Sequence, residues 1–347
     1  EGTGTTMGRP ATDERPDPTG DVIAAADIEE LEASVLPWQF DMRQMSRGAM
    51  EARIHVGLVG DILATCEHWS KRVVAHGATP PGYLALAGTG SGKSLKWCGR
   101  EIDSQHILCG LDGAECDFAT PDREFHWVLL IPQGSLAGYL DLHTVEKLRS
   151  RRILRCAPEL SMRLFALARR AVEPPVGSNP RGQDSPGTMA LRAELMEAAS
   201  QLILGEGGNR RYSRRRRHYR MWRRAIEATN SVRGPINVSE LASEVGVSRR
   251  TLERAFEGTV GISPYKFSRL HRLNRLYRDL RRAHVQQGSV TQLLMDWGFS
   301  ELGRTAVEYK SLFGESPSMT LAQESSSSSL TLADALHEGP APDSADL

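Results

Sequence analysis

One pattern of turn residues and apolar positions occurs twice in the C-terminal third of the chain. The first copy spans 241–264, where LASEVGVS is followed by the closing GISP, and the second spans 293–317, where LLMDWGFS is followed by GESP. A glycine just past a helix end adopts the left-handed conformation at little cost, and the next apolar residue can return to the core. Each copy therefore predicts a helix, a short glycine-containing turn and a second helix, which is the helix-turn-helix arrangement.

Residues that start helices flank both copies. Asn237 stands three residues before Glu240, and Ser289 three before Gln292, so each pair predicts a capping box at the first helix of its unit. The serines that we expect to cap the second helices are Ser248 and Ser300.

A long helix is predicted between the two units. Ser263 supplies its cap, Pro264 its first residue, and the apolar spacing continues to about Arg282. Nineteen residues at 1.5 Å each give roughly 28 Å. Because successive major-groove faces on one side of DNA are roughly 34 Å apart, both second helices can reach neighbouring turns of one duplex.

These features together resemble the AraC-type transcriptional regulators over about 217–321, including FGESP at 313–317. Within that family, SRRTL at 248–252 and LGR at 302–304 are most similar to the ethanolamine-utilisation regulator branch. WQF at 38–40, with Gly48, is more weakly similar to the sensory half of that branch. The resemblance implies sequence-specific binding to double-stranded promoter DNA and an N-terminal half that dimerises and responds to a small-molecule effector, whose identity stays open.

The second helix of each unit is called its recognition helix below. In the first one, Leu252 and Phe256 are predicted to face the core. We expect Arg249 or Arg250 to contact guanine, Glu253 a cytosine amino group and Arg254 a phosphate or base, with Thr251 at the margin. A solvated charged helix face is the alternative interpretation.

In the second recognition helix, Leu302, Ala306, Tyr309 and Phe313 are predicted to face inward. The residues that remain available to DNA are Glu301, Gly303, Arg304, Val307 and Lys310. Many family members have phenylalanine where Thr305 stands and arginine at Val307. Only Arg304 remains as a good base reader, so we expect the first unit to dominate specificity.

A basic segment precedes the double motif. The residues predicted to contact phosphates are Arg214, Arg215, Arg216, Arg217 and Arg220, and a solvated linker is the alternative. Residues 210–321 hold 22 Lys and Arg against 10 Asp and Glu, whereas the remainder is acidic. This division favours a polyanion-binding module joined to a separate regulatory or assembly module.

The N-terminal half shows short apolar runs at 54–59, 83–86 and 125–131, separated by Gly, Pro and Asp. They predict strands of a small sandwich or barrel, followed from Leu142 by helices that can pack a dimer. The predicted fold is therefore α+β. The predicted division is a disordered leader (1–30), a β-rich sensing domain (31–143), a helical dimerisation or linker region (144–212), the double helix-turn-helix (213–321) and a disordered tail (322–347).

The segment AGTGSGKS at 87–94 fits a relaxed phosphate-loop pattern. A phosphate loop needs a helix to start at Lys93, but the residues after it resemble a strand, which favours a hairpin turn. An NTP-binding enzyme with a DNA-binding appendage is thus the alternative to a non-enzymatic regulator. A constitutive architectural DNA binder is a third possibility.

No metal or other cofactor is predicted. The spacings of His106, His126, Cys98, Cys109 and Cys116 match no ligand motif, and the five cysteines are expected to be reduced and mostly buried. No apolar run approaches the roughly 18 residues of a membrane span, and a signal-peptide pattern is absent, so we expect a cytoplasmic protein.

Overall fold

The computed structural model describes residues 21–90, 95–173, 185–205, 213–230, 232–283, 289–323 and 331–337. The strands are β1 (Asp21–Ala25), β2 (Gln39–Gln44), β3 (Ala52–Val59), β4 (Ile62–Trp69), β5 (Val73–Ala78), β6 (Tyr83–Thr89), β7 (Leu95–Trp97), β8 (Arg100–Ile102), β9 (His106–Leu111), β10 (Glu115–Ala119), β11 (Glu124–Pro132) and β12 (Ile153–Arg155). The helices are α1 (Ile28–Ser34), α2 (Leu142–Arg149), α3 (Pro158–Val172), α4 (Pro186–Leu204), α5 (Ser213–Asn230), α6 (Val238–Val245), α7 (Arg249–Val260), α8 (Pro264–Arg282), α9 (Val290–Asp296), α10 (Leu302–Phe313), α11 (Pro317–Ala322) and α12 (Leu332–His337).

The strands form two antiparallel sheets. The larger has the order β1-β3-β4-β11-β6-β9-β12, and the smaller has the order β2-β5-β10-β7-β8. All the described elements that follow β12 in the chain are helices. The predicted α+β class, with a β-rich N-terminal part and a helical C-terminal part, is confirmed.

The central strands of the larger sheet are buried on both faces. In β4, Ile62 and Cys66 point into a core shared with helices, while Leu63 and Trp69 point into the space between the sheets. Successive residues of a strand face opposite sides, so a strand covered on both sides reads as a continuous apolar run. This explains the runs in the N-terminal half.

Helices α3 and α4 cover the outer face of the larger sheet. Leu164 and Leu167 of α3, with Leu195 and Leu202 of α4, are buried in the same core as the outward residues of β4. The space between the two sheets belongs to a different core, which continues into the C-terminal helices. Leu273 and Leu276 of α8 lie within it and are fully buried.

Parts of the predicted division are wrong. The predicted leader includes β1, whose Ile23 pairs with Ile54 of β3, and the start of α1, where Ile28 is buried. The predicted tail includes α12, where Leu332 is 1% exposed, and β12 interrupts the region predicted as helical. These elements have three to seven residues, too few to show a period, and they are stabilised by packing against distant strands.

The segment that fits a phosphate loop continues strand β6. Residues 91–94, including Lys93, lie outside the described residues. The chain after them forms β7, which pairs with β8. The prediction that the segment is a hairpin turn is wrong, because β6 belongs to the larger sheet and β7 to the smaller one. A helix that would present backbone N–H groups to a phosphate does not follow the segment.

All five cysteines are free thiols, and four of them are buried, as expected. The described part of the chain holds no cluster of three or more His, Cys, Asp or Glu side chains arranged for a metal ion. Among the described helices, none combines the length and the apolar character needed to cross a membrane.

Candidate nucleic-acid interface

The first helix-turn-helix unit consists of α6, a turn at Gly246 and α7. The Asn237 side chain accepts the backbone N–H of Ser239 and donates to Glu240 at 3.1 Å, which begins α6. Gly246 has φ of +74°, the left-handed conformation that ends the helix. Ser248 then accepts the backbone N–H of Thr251 and starts the recognition helix. The predicted helix, glycine turn and second helix are present in this unit, but Asn237 and Glu240 do not form the reciprocal backbone bonds of the predicted capping box.

The second unit consists of α9, a turn at Gly298 and α10. Gly298 has φ of +70°, and a Cβ at this position would lie 2.7 Å from Pro235, so both conformation and space favour glycine. Two predicted caps are wrong. Ser289 accepts no capping hydrogen bond, and Glu301, rather than Ser300, occupies the cap position of α10, also without a side-chain bond.

The linking helix α8 has the predicted length. It begins at Pro264 after the Ser263 cap and ends at Arg282, a span of 19 residues. At 1.5 Å per residue the helix is about 28 Å long. It therefore separates the two units by a distance comparable to one turn of B-form DNA.

Most of the predicted DNA-facing residues of α7 lie at the surface. Arg249, Arg250 and Arg254 are exposed, while Thr251 and Glu253 are half-buried. The Arg249 side chain is 65% exposed and lies 3.0 Å from the Glu253 carboxylate. The inward residues Leu252 and Phe256 are buried, as predicted. To contact a base edge, Arg249 and Glu253 would have to give up their contact with each other. This costs little free energy, because exposed ion pairs contribute little to stability in water.

The second recognition helix also presents its predicted residues. Those that are exposed are Glu301, Gly303, Arg304, Val307 and Lys310. Arg304 lies 3.2 Å from Glu301, and the Val307 side chain is 71% exposed. Thr305 is buried with the predicted inward residues Tyr309 and Phe313, whereas Leu302 and Ala306 are only half-buried. The capacity of α10 to read bases by hydrogen bonds therefore rests on Arg304 and Lys310.

Of the predicted phosphate contacts, only Arg220 can be placed. It is exposed on α5. The backbone of Arg214, Arg215, Arg216 and Arg217 belongs to α5, but their side chains lie outside the described residues.

The N-terminal sheets contact the carboxyl ends of both recognition helices. At the end of α7, the Lys96 ammonium donates to the carbonyls of Glu257 and Gly258, at 3.1 and 3.0 Å, and Arg72 donates to the Val260 carbonyl. These cations sit where the helix dipole is negative. The amino-terminal ends of the recognition helices, which enter the major groove in DNA-binding motifs, are left uncovered by these contacts.

The second recognition helix is held in a similar way. The backbone N–H of Gly48 donates to the carbonyl of Ser311 at 3.0 Å, and the Gln44 amide donates to the carbonyl of Leu312 at 2.6 Å. These bonds satisfy terminal carbonyls that have no partner within the helix. The β-rich part of the chain therefore fixes both recognition helices at the same time.

A buried ionic network joins α8 to strand β2. Asp41 of β2 lies within 2.7–3.1 Å of Arg43, Arg275 and Arg278. Burial acts to raise the pKa of Asp41, but the three guanidinium groups lower it to about 2. Arg43 is 1% exposed and also donates to the Nδ1 atom of His271 at 2.8 Å. Two of the basic residues of α8 thus pair inside the protein.

A second group of contacts joins α8 to α1. Arg281 lies 3.5–3.9 Å from the carboxylates of Asp27, Glu29 and Glu30. The opposite charges of the two halves are therefore partly complementary to each other. The basic surplus therefore does not serve a polyanion alone. The signal for this internal pairing was an arginine at every third position of α8, together with the acidic residues of α1.

Helix α8 also supports the second unit. Arg272 donates to the carbonyls of Trp297 and Gly298 at 3.0 and 3.2 Å, and its guanidinium lies 4.5 Å from the ring centre of Phe299. Arg269 bonds to Glu308 of α10. These contacts hold the turn of the second unit against the linking helix, which fixes the direction of α10.

The buried His271 side chain of α8 makes the free energy of unfolding depend on pH. Its pKa is lowered to about 2 by burial and by the neighbouring Arg43. As the pH falls, His271 is therefore protonated in the unfolded chain at a higher pH than in the folded protein. The free energy of unfolding decreases below about pH 6.5. Below that pH, the free energy of unfolding is expected to decrease by about 1.4 kcal/mol per pH unit because of His271. We expect His271→Gln to abolish this decrease, and its amide oxygen can also accept from Arg43. Urea unfolding of both proteins at pH 7 and pH 5 measures this, and parallel declines would contradict it.

The geometry defines two helix-turn-helix units on one rigid linker, each presenting cationic side chains. Comparison with known proteins agrees: the family described as "Helix-turn-helix domain" matches residues 241–323. The C-terminal part of the chain is thus a helix-turn-helix domain.

Two relatives share this part of the chain. The chain is 39% identical over 87 residues to the probable thc operon regulatory protein of Rhodococcus erythropolis, covering 25% of this chain and 26% of that protein. It is 36% identical over 88 residues to the XylDLEGF operon transcriptional activator of Pseudomonas putida, covering 25% and 27%. The chain thus spans about a quarter of the length of the curated relatives it matches.

The solved structure of the AraC-like transcriptional activator CuxR overlaps 80% of this chain and all of its own, with 14% identity and a TM-score of 0.42. The family and relative matches support the AraC-type resemblance of the C-terminal part. They do not confirm the ethanolamine-utilisation branch.

Proposed function

We propose that this protein is a transcriptional regulator that binds promoter DNA sequence-specifically, with α7 and α10 in neighbouring major-groove segments of one duplex. The observation that carries the proposal is the pair of recognition helices with exposed Arg250 and Arg304, joined by a linker of about 28 Å. Exposed arginines at the start of a recognition helix are the commonest readers of guanine.

The proposed division of labour follows the two parts of the fold. The double helix-turn-helix unit, 213–321, binds DNA, with Arg220 and the basic start of α5 on phosphates. The β-rich part senses an effector, and the helices after it provide a homodimer contact. An effector acts on DNA binding only if it prefers one of two arrangements of these parts. The contacts of Lys96 and Gln44 with the recognition helices supply a physical connection between them.

Two finer assignments belong to this proposal. The resemblance of 248–252 and 302–304 to the ethanolamine-utilisation branch suggests regulation of a catabolic operon. The P. putida relative is a transcriptional activator, which suggests activation rather than repression. A regulator of promoters acts where the chromosome lies, so we place the protein in the bacterial cytoplasm.

The direct test is selection of DNA sites by the full chain from a random library, followed by footprinting on the selected site. We expect a preferred sequence whose two protected major-groove segments lie about 10 base pairs apart. Bulk genomic DNA serves as the control, and we expect its affinity to be lower by about 10³-fold or more. Equal affinity for both would indicate an architectural DNA binder, and a footprint of a single segment would contradict the two-unit arrangement.

A further inference from the structure

One side of the second recognition helix, α10, has an apolar residue at its centre. Successive residues of a helix are rotated by about 100°. Arg304 and Lys310 therefore lie about 60° to either side of Val307. The buried Thr305 and Tyr309 lie about 160° from it, on the opposite side of the helix. Since Val307 is 71% exposed, the middle of the face offered to DNA is a valine between two cations.

The fold of the chain does not account for this valine. A side chain that is so exposed contributes little to a hydrophobic core. Valine also forms helices less readily than alanine, arginine or lysine, because its branched side chain loses rotational freedom in a helix. The sixth residue of the first recognition helix, at the equivalent position, is the exposed Arg254. An apolar residue at position 307 is therefore favoured neither by packing nor by helix propensity.

A glycine on the same side of α10 is equally unexplained by the fold. Gly303 is the second residue of the helix and lies about 40° from Val307. Its place inside a helix does not need the left-handed conformation, and a Cβ here would have no heavy atom of the described residues within 4 Å. The missing side chain leaves open space outside the protein, beside Val307. Glycine serves in this way where a backbone approaches a ligand closely.

An exposed valine distinguishes thymine from the other bases. In the major groove, guanine, adenine and cytosine present hydrogen-bonding groups, and thymine alone adds a methyl group. A valine packed on a hydrogen-bonding group would separate that group from water without offering it a partner, which costs free energy. A valine packed on the thymine methyl group instead removes apolar surface of both from water.

We propose that Val307 reads the methyl group of one thymine in the major groove, and that Gly303 permits the close approach of α10 that this contact needs. This role of Val307 rests on the proposed function, because it concerns how α10 contacts DNA. The half-site of α7 is then read by arginines through hydrogen bonds, whereas that of α10 is read by Arg304 together with an apolar contact. Two half-sites of different chemistry give the protein a single direction on the duplex.

The first experiment replaces each thymine of the two protected segments in the selected DNA site, one at a time, by deoxyuridine. Deoxyuridine pairs with adenine as thymidine does and lacks only the methyl group. We expect one replacement to weaken binding of the full chain about three- to fivefold, the effect of one buried methyl group. In Val307→Ala the same replacement is expected to change binding by less than about 1.5-fold. Fluorescence anisotropy at a fixed salt concentration measures both.

The control variant is Met319→Ala, which shortens another exposed apolar side chain of the domain, on α11 and outside both recognition helices. We expect it to keep the full preference for thymine over deoxyuridine. An equal preference in Val307→Ala, or no thymine whose replacement weakens binding, would overturn the role of Val307 and leave DNA binding in place. A chain that selects no DNA sequence would instead contradict the proposed function, and the role of Val307 with it.

The second experiment compares Gly303→Ala with Gly258→Ala. Gly258 is also exposed, and a Cβ there would likewise have no described heavy atom within 4 Å, but it lies at the carboxyl end of α7, where its carbonyl accepts from Lys96. Both variants are expected to raise the Tm, because alanine is the better helix former. We expect only Gly303→Ala to weaken binding to the selected site, at least about threefold, since its methyl group occupies space left for DNA. Equal binding by the two variants would contradict a close approach at Gly303.

Discussion

The variant Asp41→Asn is expected to lower the free energy of unfolding by about 3–5 kcal/mol. Asp41 is the carboxylate shared by Arg43, Arg275 and Arg278, and the first and last of these guanidinium groups are almost fully buried. Removing it leaves buried positive charges facing one another without a counterion. Urea unfolding at pH 7 measures the loss.

A control separates this effect from that of an ordinary ion pair. Glu146, which is 73% exposed, pairs with Arg149 at 3.1 Å, and we expect Glu146→Gln to change stability by less than about 0.5 kcal/mol. A similar small change for Asp41→Asn would show that the network contributes little to holding the two parts together.

The same network predicts how stability changes in acid. The pKa of Asp41 in the folded protein is about 2, below its value of about 3.9 in an unfolded chain. Its contribution is therefore complete above about pH 4 and disappears as the pH falls toward 2.

The variant Arg250→Ala is expected to weaken binding to the selected DNA site by about 5- to 150-fold, the equivalent of 1–3 kcal/mol for a bidentate base contact. Arg250 is exposed near the start of the first recognition helix. We expect Arg304→Ala to have a smaller effect, since fewer of its neighbours on α10 can read bases. Fluorescence anisotropy at a fixed salt concentration measures both.

The matched control is Arg282→Ala, because Arg282 is an exposed arginine of the same domain that ends the linking helix and belongs to neither recognition helix. We expect this variant to bind every DNA sequence slightly more weakly, by the same factor for each. A larger effect of Arg304→Ala than of Arg250→Ala would reverse the predicted order of the two units.

The double motif could be predicted from sequence because its signals are local. Gly246 and Gly298 mark turns through a backbone conformation that few other residues tolerate, and Pro264 marks the start of α8. The exposed and buried faces of α7 follow from helical periodicity over twelve residues. None of these inferences needs knowledge of distant contacts.

The elements that were missed depend on contacts between distant residues. Strand β1 and helix α12 are too short to show a period, and each is stabilised by packing against the rest of the fold. The buried pair of Glu67 and His126 was missed because the two residues lie 59 positions apart in the sequence and meet only through the pairing of β4 with β11. Polar residues at inward positions of otherwise apolar strands were the available signal.

Strand β7 connects the interior of the β-rich part with the surface that binds a recognition helix. Leu95 and Trp97 are buried in the core between the two sheets, while Lys96 between them bonds to the carboxyl end of α7. Alternate residues of a strand point to opposite sides of the sheet. The side chains of Leu95 and Trp97 therefore lie inside the sandwich and that of Lys96 lies outside it, although the three residues are consecutive. Any shift of β7 would therefore change the contacts at the carboxyl end of α7, the helix that carries Arg250.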